Sequence, residues 1–367
     1  MKYLFAIKNL SHTGGGAEKV FCTICSELAE LGHQVTIITF DHPSLKSFYP
    51  YSKKINRISL GIGVPGERSR LFDAKNKLLK LRHAIQNNNP DVIVGFMHSM
   101  FVPLAVAALG TGIPVIGSEH ITVDHYKTRP FQFLLLNLTA PLLKKVTVLS
   151  ESIRDKYPYL VRKRMIPITN PIEHPKSISK FIINKEFYTL LNVGRLNEEK
   201  NQVVLIRAFR EISDDFPKWN LRIVGEGNLR EYLEIEIDKL ELTNRVSMPG
   251  VIKDVSREYL AADIFVMSSS NESFGLVTAE AMSYGLPVIG FSDCPGTKEL
   301  IQDGVNGFLV ANDGVRHIQL AEQLKILMND HLLRTRFGGN SANVIGARLG
   351  CDHVVSQWDD LLKSVVR

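Results

Sequence analysis

The sequence predicts an α/β protein built as two doubly wound parallel sheets, and three observations predict it. Its 367 residues are long for one hydrophobic core and comfortable for two. Short apolar runs alternate with helix-like stretches through both halves, as parallel strands covered on both faces require. The Gly-rich and charged turns fall just after those runs, at the carboxyl ends of the strands, where open sheets of this kind bind ligands. Between the halves, residues 173–185 turn to Pro, Ser, Lys and His without periodicity, which reads as a linker.

In the first half, residues 3–7 read as a buried first strand, with too short an apolar segment for a signal peptide. The turn holding Gly14, Gly15 and Gly16 leads into a helix over 17–31, which Gly32 ends before a second strand at 34–40. Three glycines let a backbone approach a ligand closely, and the helix presents its N-terminus to that ligand. The turn is neither G-x-G-x-x-G nor a P-loop, because no Gly-Lys-Ser/Thr follows. Residues 68–86 set Arg68, Arg70, Lys75, Lys77, Lys80 and Arg82 among leucines. That spacing suits a basic amphipathic helix, either a solvated surface helix or one that meets a membrane or an acceptor pyrophosphate. Two buried strands, 91–96 and 114–117, bracket a helix at 102–109, and Ser118-Glu119-His120 follows the second. Its place at a strand end puts His120 in the ligand crevice. Residues 131–143 are apolar but too few to span a bilayer, and read as a core helix. A strand at 146–149 precedes Ser150, a candidate helix cap, and 165–168 close the first sheet.

The second half opens with a strand at 188–193, after which Arg195 and Lys200 flank one loop. A guanidinium fork plus a point charge suits neutralising a diphosphate. The strand-then-Gly design repeats at 221–227 and at 246–250. A strand at 264–267 then meets the polar turn that contains Glu272, Phe274 and Gly275, a helix at 275–284 stopped by Gly285, and a further strand at 287–289. The first amides of that helix, around Gly275 and Leu276, have no carbonyl a turn earlier to bond and favour a phosphate. Glu272 stands in the loop and Glu280 deeper in the helix, so the two acids address different parts of one ligand, if they are not merely solvated. A turn and strand at 304–310 complete the second sheet, and 351–366 are amphipathic.

Apolar and charged contents of 44% and 22% exclude a disordered or fibrous chain. No apolar run reaches the roughly 18 residues of a membrane span, which points to a cytoplasmic protein. Cys22, Cys25, Cys294 and Cys351 are too few and scattered for a disulfide framework, and Cys22-x-x-Cys25 lies in a helical pattern that packs its thiols. Residues 1–183 carry 24 Lys and Arg against 12 Asp and Glu, whereas the remainder is acidic. A basic half implies an anionic partner, such as a membrane surface or a phosphate-bearing acceptor.

Glu272-x7-Glu280 with Phe274-Gly275 inside it, Gly194-Arg195-Leu196 ahead of Lys200-Asn201, and the Gly15-Gly16-Ala17-Glu18 turn together resemble the retaining glycosyltransferases of family 4. The resemblance covers nearly the whole chain, though Cys294-Pro295-Gly296-Thr297 stands where other members vary. It implies the GT-B fold, two Rossmann-like sheets facing a cleft, with an acceptor domain at 1–174, a nucleotide-sugar domain at 175–350 and a last helix at 351–367 returning to the first domain. It implies a donor site of Gly15, Gly16, Arg195, Lys200, Val251, Ile252, Glu272, Phe274, Gly275, Leu276 and Glu280, with Glu272 facing the sugar, Glu280 the ribose, and the backbone at Val251 and Ile252 the base. Gly14, Gly15 and His120 would meet the acceptor, and His120, Arg195, Lys200 and Glu272 would carry the chemistry. Whether Glu272 ever acts as a nucleophile stays open.

The implied reaction moves a sugar from a UDP-sugar to a hydroxyl of a lipid-linked or polysaccharide acceptor of a bacterial surface glycan. It would run with retention and, there being no Asp-x-Asp in the sequence, without a metal or other cofactor. The protein would then be cytoplasmic, peripheral to the inner face of an anionic membrane, with no nucleic-acid partner. Two alternatives share the architecture, a nucleotide-sugar epimerase and a non-catalytic sugar-nucleotide binding protein.

Overall fold

The computed structural model describes residues 1–11, 15–62, 71–175, 177–179 and 185–366, and the side chains of 71–73 are not described. Gly14, Arg68, Arg70 and residues 180–184 of the expected linker therefore lie outside the described residues. The chain forms two compact units, one of Met1–Pro171 with Cys351–Arg367, the other of Ile172–Gly350.

The first unit is a seven-stranded, all-parallel sheet in the order β3-β2-β1-β4-β5-β6-β7. Its strands are β1 (Lys2–Ala6), β2 (Gln34–Thr39), β3 (Asn56–Ser59), β4 (Val92–Phe96), β5 (Val115–Ser118), β6 (Lys145–Val148) and β7 (Met165–Pro167). The helices between them are α1 (Gly16–Glu30), α2 (Leu71–Asn88), α3 (His98–Ala107), α4 (Pro130–Thr139), α5 (Glu151–Arg154) and α6 (Tyr159–Arg162). β1 and β4 are buried almost throughout, which is why they read as continuous apolar runs. Ser150 does cap α5, accepting a bond from the Ile153 amide at 3.3 Å.

The second unit is a six-stranded parallel sheet in the order β10-β9-β8-β11-β12-β13. It contains β8 (Tyr188–Val193), α7 (Gln202–Ser213), β9 (Trp219–Val224), α8 (Arg230–Lys239), β10 (Val246–Gly250), α9 (Ser256–Ala261) and β11 (Ile264–Met267). It continues through α10 (Leu276–Ser283), β12 (Val288–Phe291), α11 (Pro295–Leu300), β13 (Gly307–Val310), α12 (Arg316–Asn329) and α13 (His331–Leu349). Its core runs from Leu190 and Ile264 on the strands to Leu205, Phe209 and Leu324 on α7 and α12.

The last helix, α14 (Cys351–Val366), belongs to the first unit and packs on α1 and β4. It buries Val354, Val355, Trp358, Leu361 and Leu362, the apolar face its sequence announces.

Two expectations about helices change. The helix before β5 starts at His98, ahead of the expected 102, because the chain turns directly out of β4 at Met97. The helix expected to lie in the core, α4, is a surface helix. It buries Leu136 and Thr139 and leaves Phe131, Leu134 and Leu138 exposed.

Candidate functional site

The strand orders fix where each sheet reverses direction: between β1 and β4 in the first unit and between β8 and β11 in the second. At such a switch point the loops leaving two adjacent strands part to opposite faces and open a crevice at their carboxyl ends. The loops leaving β8 and β11 hold Arg195, Lys200, Glu272 and Gly275.

Those two loops are bonded to each other. The Lys200 ammonium pairs with Glu272, whose Oε1 also accepts from the Ser269 hydroxyl at 2.7 Å. Ser268 Oγ donates to the Lys200 carbonyl at 2.7 Å, and the Ser270 amide to the Glu199 carbonyl at 2.9 Å. The Glu272 carbonyl accepts from the Gly296 amide at 2.9 Å, which fastens the same loop to the start of α11. The β8 loop is further tied by Gln202 Nε2 donating to the Arg195 carbonyl at 3.0 Å, and the Arg195 side chain is exposed.

Gly275 is the N-cap of α10 and sits at φ +81°, a left-handed conformation that a Cβ penalises. That turn aims the free amides of the first helical turn out beyond the strand ends. Phe274 is buried behind it, and Leu276 begins the helix. Glu280, one turn further along, accepts from the Tyr259 hydroxyl at 2.9 Å. On the neighbouring edge, Gly225 at φ +146° passes so close to Gly194 that an added Cβ would lie 1.9 Å from the Gly194 carbonyl oxygen. Its amide donates to the Gly250 carbonyl at 2.9 Å, which sets the chain leaving β10, where Val251 is exposed and Ile252 half-buried.

In the first unit, Gly15 is the N-cap of α1 at φ −82°, a conformation open to any residue, and Gly16 is the first helical residue. His120 follows β5. Its ring stacks on Phe96 at 4.9 Å, and Phe96 stacks in turn on Trp358 of α14 at 5.9 Å and meets Phe21 of α1 edge-on at 5.0 Å. Thr147 donates to Ser118 Oγ at 2.9 Å, and Ser118 lies 2.9 Å from His120 Nε2. With its oxygen accepting from Thr147, Ser118 has its own hydrogen left to donate to Nε2, an arrangement that would leave the ring proton on Nδ1. Burial pushes the imidazole down to about 4, so His120 is neutral near pH 7 and is limited there to hydrogen bonds.

Beside it, Glu119 is buried. Its Oε2 accepts from the Tyr126 hydroxyl at 2.7 Å and its Oε1 from the His120 amide at 3.0 Å. Burial pushes its carboxyl up to about 7, outweighing those hydrogen bonds. Burial and the charge of Glu119 together hold the Tyr126 hydroxyl well above its ordinary value. Just before α3, Met97 adopts φ +67° and ψ 149°, a region almost confined to glycine, at the end of a switch-point strand.

Two family models divide the chain between them, Glycosyltransferase Family 4 over residues 14–173 and Glycosyl transferases group 1 over residues 173–344. The chain belongs to the family 4 glycosyltransferases. Among its relatives is the Campylobacter jejuni enzyme named as an α-1,4-N-acetyl-D-galactosaminyltransferase acting on a GalNAc-containing diNAcBac-PP-undecaprenol. It is 27% identical over 367 residues, covering 100% of this chain and 99% of the relative. The amylovoran biosynthesis glycosyltransferase of Erwinia amylovora is 29% identical over 98% of this chain and 99% of its own. Among solved structures, Anabaena HepE in complex with UDP superposes with a TM-score of 0.80 at 20% identity, over 99% of this chain and 100% of that one. This likeness, with the two parallel sheets, makes the fold GT-B.

In this glycosyltransferase the sequence singles out Arg195, Lys200, Glu272 and Gly275, and the structure brings them onto two adjacent loops. Glu119, Phe96, Trp358, Ser269 and Tyr259 were not singled out. For Glu119 a signal was present, an acid between a buried strand and His120. For Trp358 there was none, since only the fold brings residue 358 against residue 96.

Proposed function

We propose that this glycosyltransferase transfers a sugar, with retention at the anomeric carbon, from a UDP-sugar to a hydroxyl on a lipid-linked or polysaccharide acceptor of a bacterial surface glycan. The observation that carries the reading is the pairing of Lys200 with Glu272 across the β8 and β11 loops, beside the glycine-capped start of α10. A cation, a carboxylate and a helix N-terminus at one switch point supply what a sugar diphosphate needs: positive charge for the leaving group and an acceptor for sugar hydroxyls.

In this reading Arg195, Lys200 and the amides of Gly275 and Leu276 neutralise the diphosphate without a metal. Glu272 orients the sugar, Glu280 accepts from the ribose, and the backbone at Val251 and Ile252 meets the base. Gly15 and Gly16 border the donor phosphates, and Gly14, Gly15 and His120 the acceptor. The bond from the anomeric carbon to the diphosphate oxygen breaks as a bond to the acceptor hydroxyl forms on the same face. The acceptor proton passes to the departing diphosphate oxygen, so no covalent glycosyl-enzyme is needed. Neutral His120 holds the transferred sugar through a ring hydrogen bond. The relatives named for an undecaprenol-linked substrate and for amylovoran biosynthesis support the acceptor class, and HepE with UDP supports the donor. The enzyme would work at the inner face of the cell membrane.

UDP release from a panel of UDP-sugars, with and without a membrane-lipid extract, tests this. Release that needs the extract and one particular sugar supports the transfer. Interconversion of the sugar with no acceptor would replace transfer by epimerisation, and no turnover with any nucleotide sugar would leave only a binding protein.

A further inference from the structure

The helix whose apolar residues the sequence assigns to the core keeps three of them outside. On α4, Phe131, Leu134 and Leu138 are 68%, 52% and 65% exposed at spacings of three and four, so they form one stripe along the outer face. Leu142, in the short turn after α4, continues that stripe at 40% exposure. Helix α6 packs against both α4 and that turn and adds Tyr159 and Leu160, exposed to 68% and 50%. Six large apolar side chains exposed on elements that pack against one another are more than scattered exposure explains.

The rim of this ridge is cationic. Arg129 stands just before α4 and Lys144 just beyond it, while Arg162 and Lys163 end α6, and all four are exposed. Residues 127–164 hold nine Lys and Arg against two Asp and Glu, with no acid at all between 130 and 150. Apolar side chains that can enter an acyl boundary, ringed by long cations that can reach phosphates beside it, make up the two components of interfacial membrane binding.

We propose that the α4–α6 ridge is the surface by which the protein docks on an anionic lipid bilayer. Phe131, Leu134, Leu138 and Leu160 enter the headgroup boundary, and Arg129, Lys144, Arg162 and Lys163 meet the lipid phosphates. The attachment proposed is peripheral, and no helix among the described residues is long and apolar enough to cross a membrane. This sets the contact apart from α2, where three of the four Lys and Arg hold contacts within the fold and Lys75 is exposed. There Arg82 donates to the Ala107 and Leu109 carbonyls at 3.1 and 2.8 Å, Lys80 donates to the Leu60 carbonyl at 3.0 Å, and Lys77 lies over the Phe40 ring. The inference rests on the reading of a membrane-borne acceptor but is tested without turnover.

The experiment is flotation of the full chain with phosphatidylcholine vesicles with and without phosphatidylglycerol. Binding is expected with phosphatidylglycerol, weakening as salt rises. The triple variant F131S/L134S/L138S is expected to lose at least about tenfold in vesicle affinity, and R162E/K163E to lose the preference for anionic lipid. Circular dichroism of each variant checks its fold. As a second readout, an environment-sensitive dye on Leu138→Cys should shift to the blue on vesicles, and the same dye on Ile235→Cys of the second unit should not; the four native thiols are buried. Vesicle binding unchanged by the triple variant, or an unshifted dye at position 138, overturns the proposal. So does a concentration-dependent dimer that the same substitutions abolish, because the ridge would then belong to a second copy. UDP release with a short water-soluble acceptor, retained in the triple variant, separates loss of docking from loss of the transferase reading.

Discussion

Lys200 and Glu272 pair across two loops, and the proposed reaction gives that same contact a chemical role. Their pairing joins two loops that otherwise share only backbone and serine bonds, with side chains 21% and 13% exposed. Replacing either by Ala should leave the sheet intact, since both lie beyond the strand ends, yet lower turnover at least about tenfold, roughly 1.4 kcal/mol of barrier. Circular dichroism and UDP release check the two halves of that statement, and near-normal turnover in both variants would remove the pair from the mechanism. Glu119 and His120 add a pH dependence at the same scale. Glu119 holds its proton up to about 7 when folded against 4.5 unfolded, so stability falls as pH rises through that interval. His120 runs from 6.5 unfolded to about 4 folded, so its contribution rises between those values and offsets Glu119 until both states of the histidine are neutral. Glu119→Gln keeps an acceptor for the His120 amide and removes the titration. Urea unfolding should therefore show the variant gaining on the parent by about 1–3 kcal/mol between about pH 5 and about pH 8. A constant gap across that range would mean Glu119 is ionised throughout.

At the scale of elements, α10 depends on the one left-handed residue ahead of it. Gly275→Ala places a Cβ at φ +81°, at a cost of about 1–2 kcal/mol, and turns the first amides of the helix away from their present direction. Isothermal titration should show UDP binding weakened by more than the fall in melting temperature accounts for, and unchanged affinity would separate the helix start from the diphosphate. This element was legible in the sequence. Four apolar residues before a Ser-rich turn, glycine at both ends and an acid at each depth predict strand, loop and helix, and Gly275 and Gly285 bound the helix found. The environment of α4 was not legible. Its apolar spacing is the same whether a stripe faces a core or a lipid, and only the tertiary structure shows that Leu136 points in while Phe131, Leu134 and Leu138 point out. The stack of His120, Phe96 and Trp358 was hidden for a different reason. Periodicity reports neighbours within one helix or strand, whereas that contact forms only once α14 has returned to the first sheet.

At the scale of the whole molecule, the chain enters the second unit at Ile172 and leaves it at Gly350, and those two residues are bridged, the Ile172 amide donating to the Leu349 carbonyl at 2.8 Å. The second unit is therefore continuous in sequence and closed at its ends, with a complete six-stranded sheet and its own core. The first unit is discontinuous. Residues 1–171 hold all seven strands but leave uncovered the surface on which Trp358, Val354, Leu361 and Leu362 pack, four large apolar side chains worth about 1.5–3 kcal/mol each on full burial. A total of that size is comparable with the entire stability of a domain. A fragment of residues 172–350 should accordingly be soluble, melt cooperatively and bind UDP in a manner weakened by Lys200→Ala. A fragment of residues 1–171 should expose apolar surface and bind a hydrophobic dye, and should recover a cooperative melt when a peptide of residues 351–367 is supplied. Calorimetry of the two fragments decides it. A cooperative melt of 1–171 alone would show that α14 is dispensable to the first sheet, and a 172–350 fragment that fails to melt cooperatively would mean that the bridge at Ile172 does not close an independent fold.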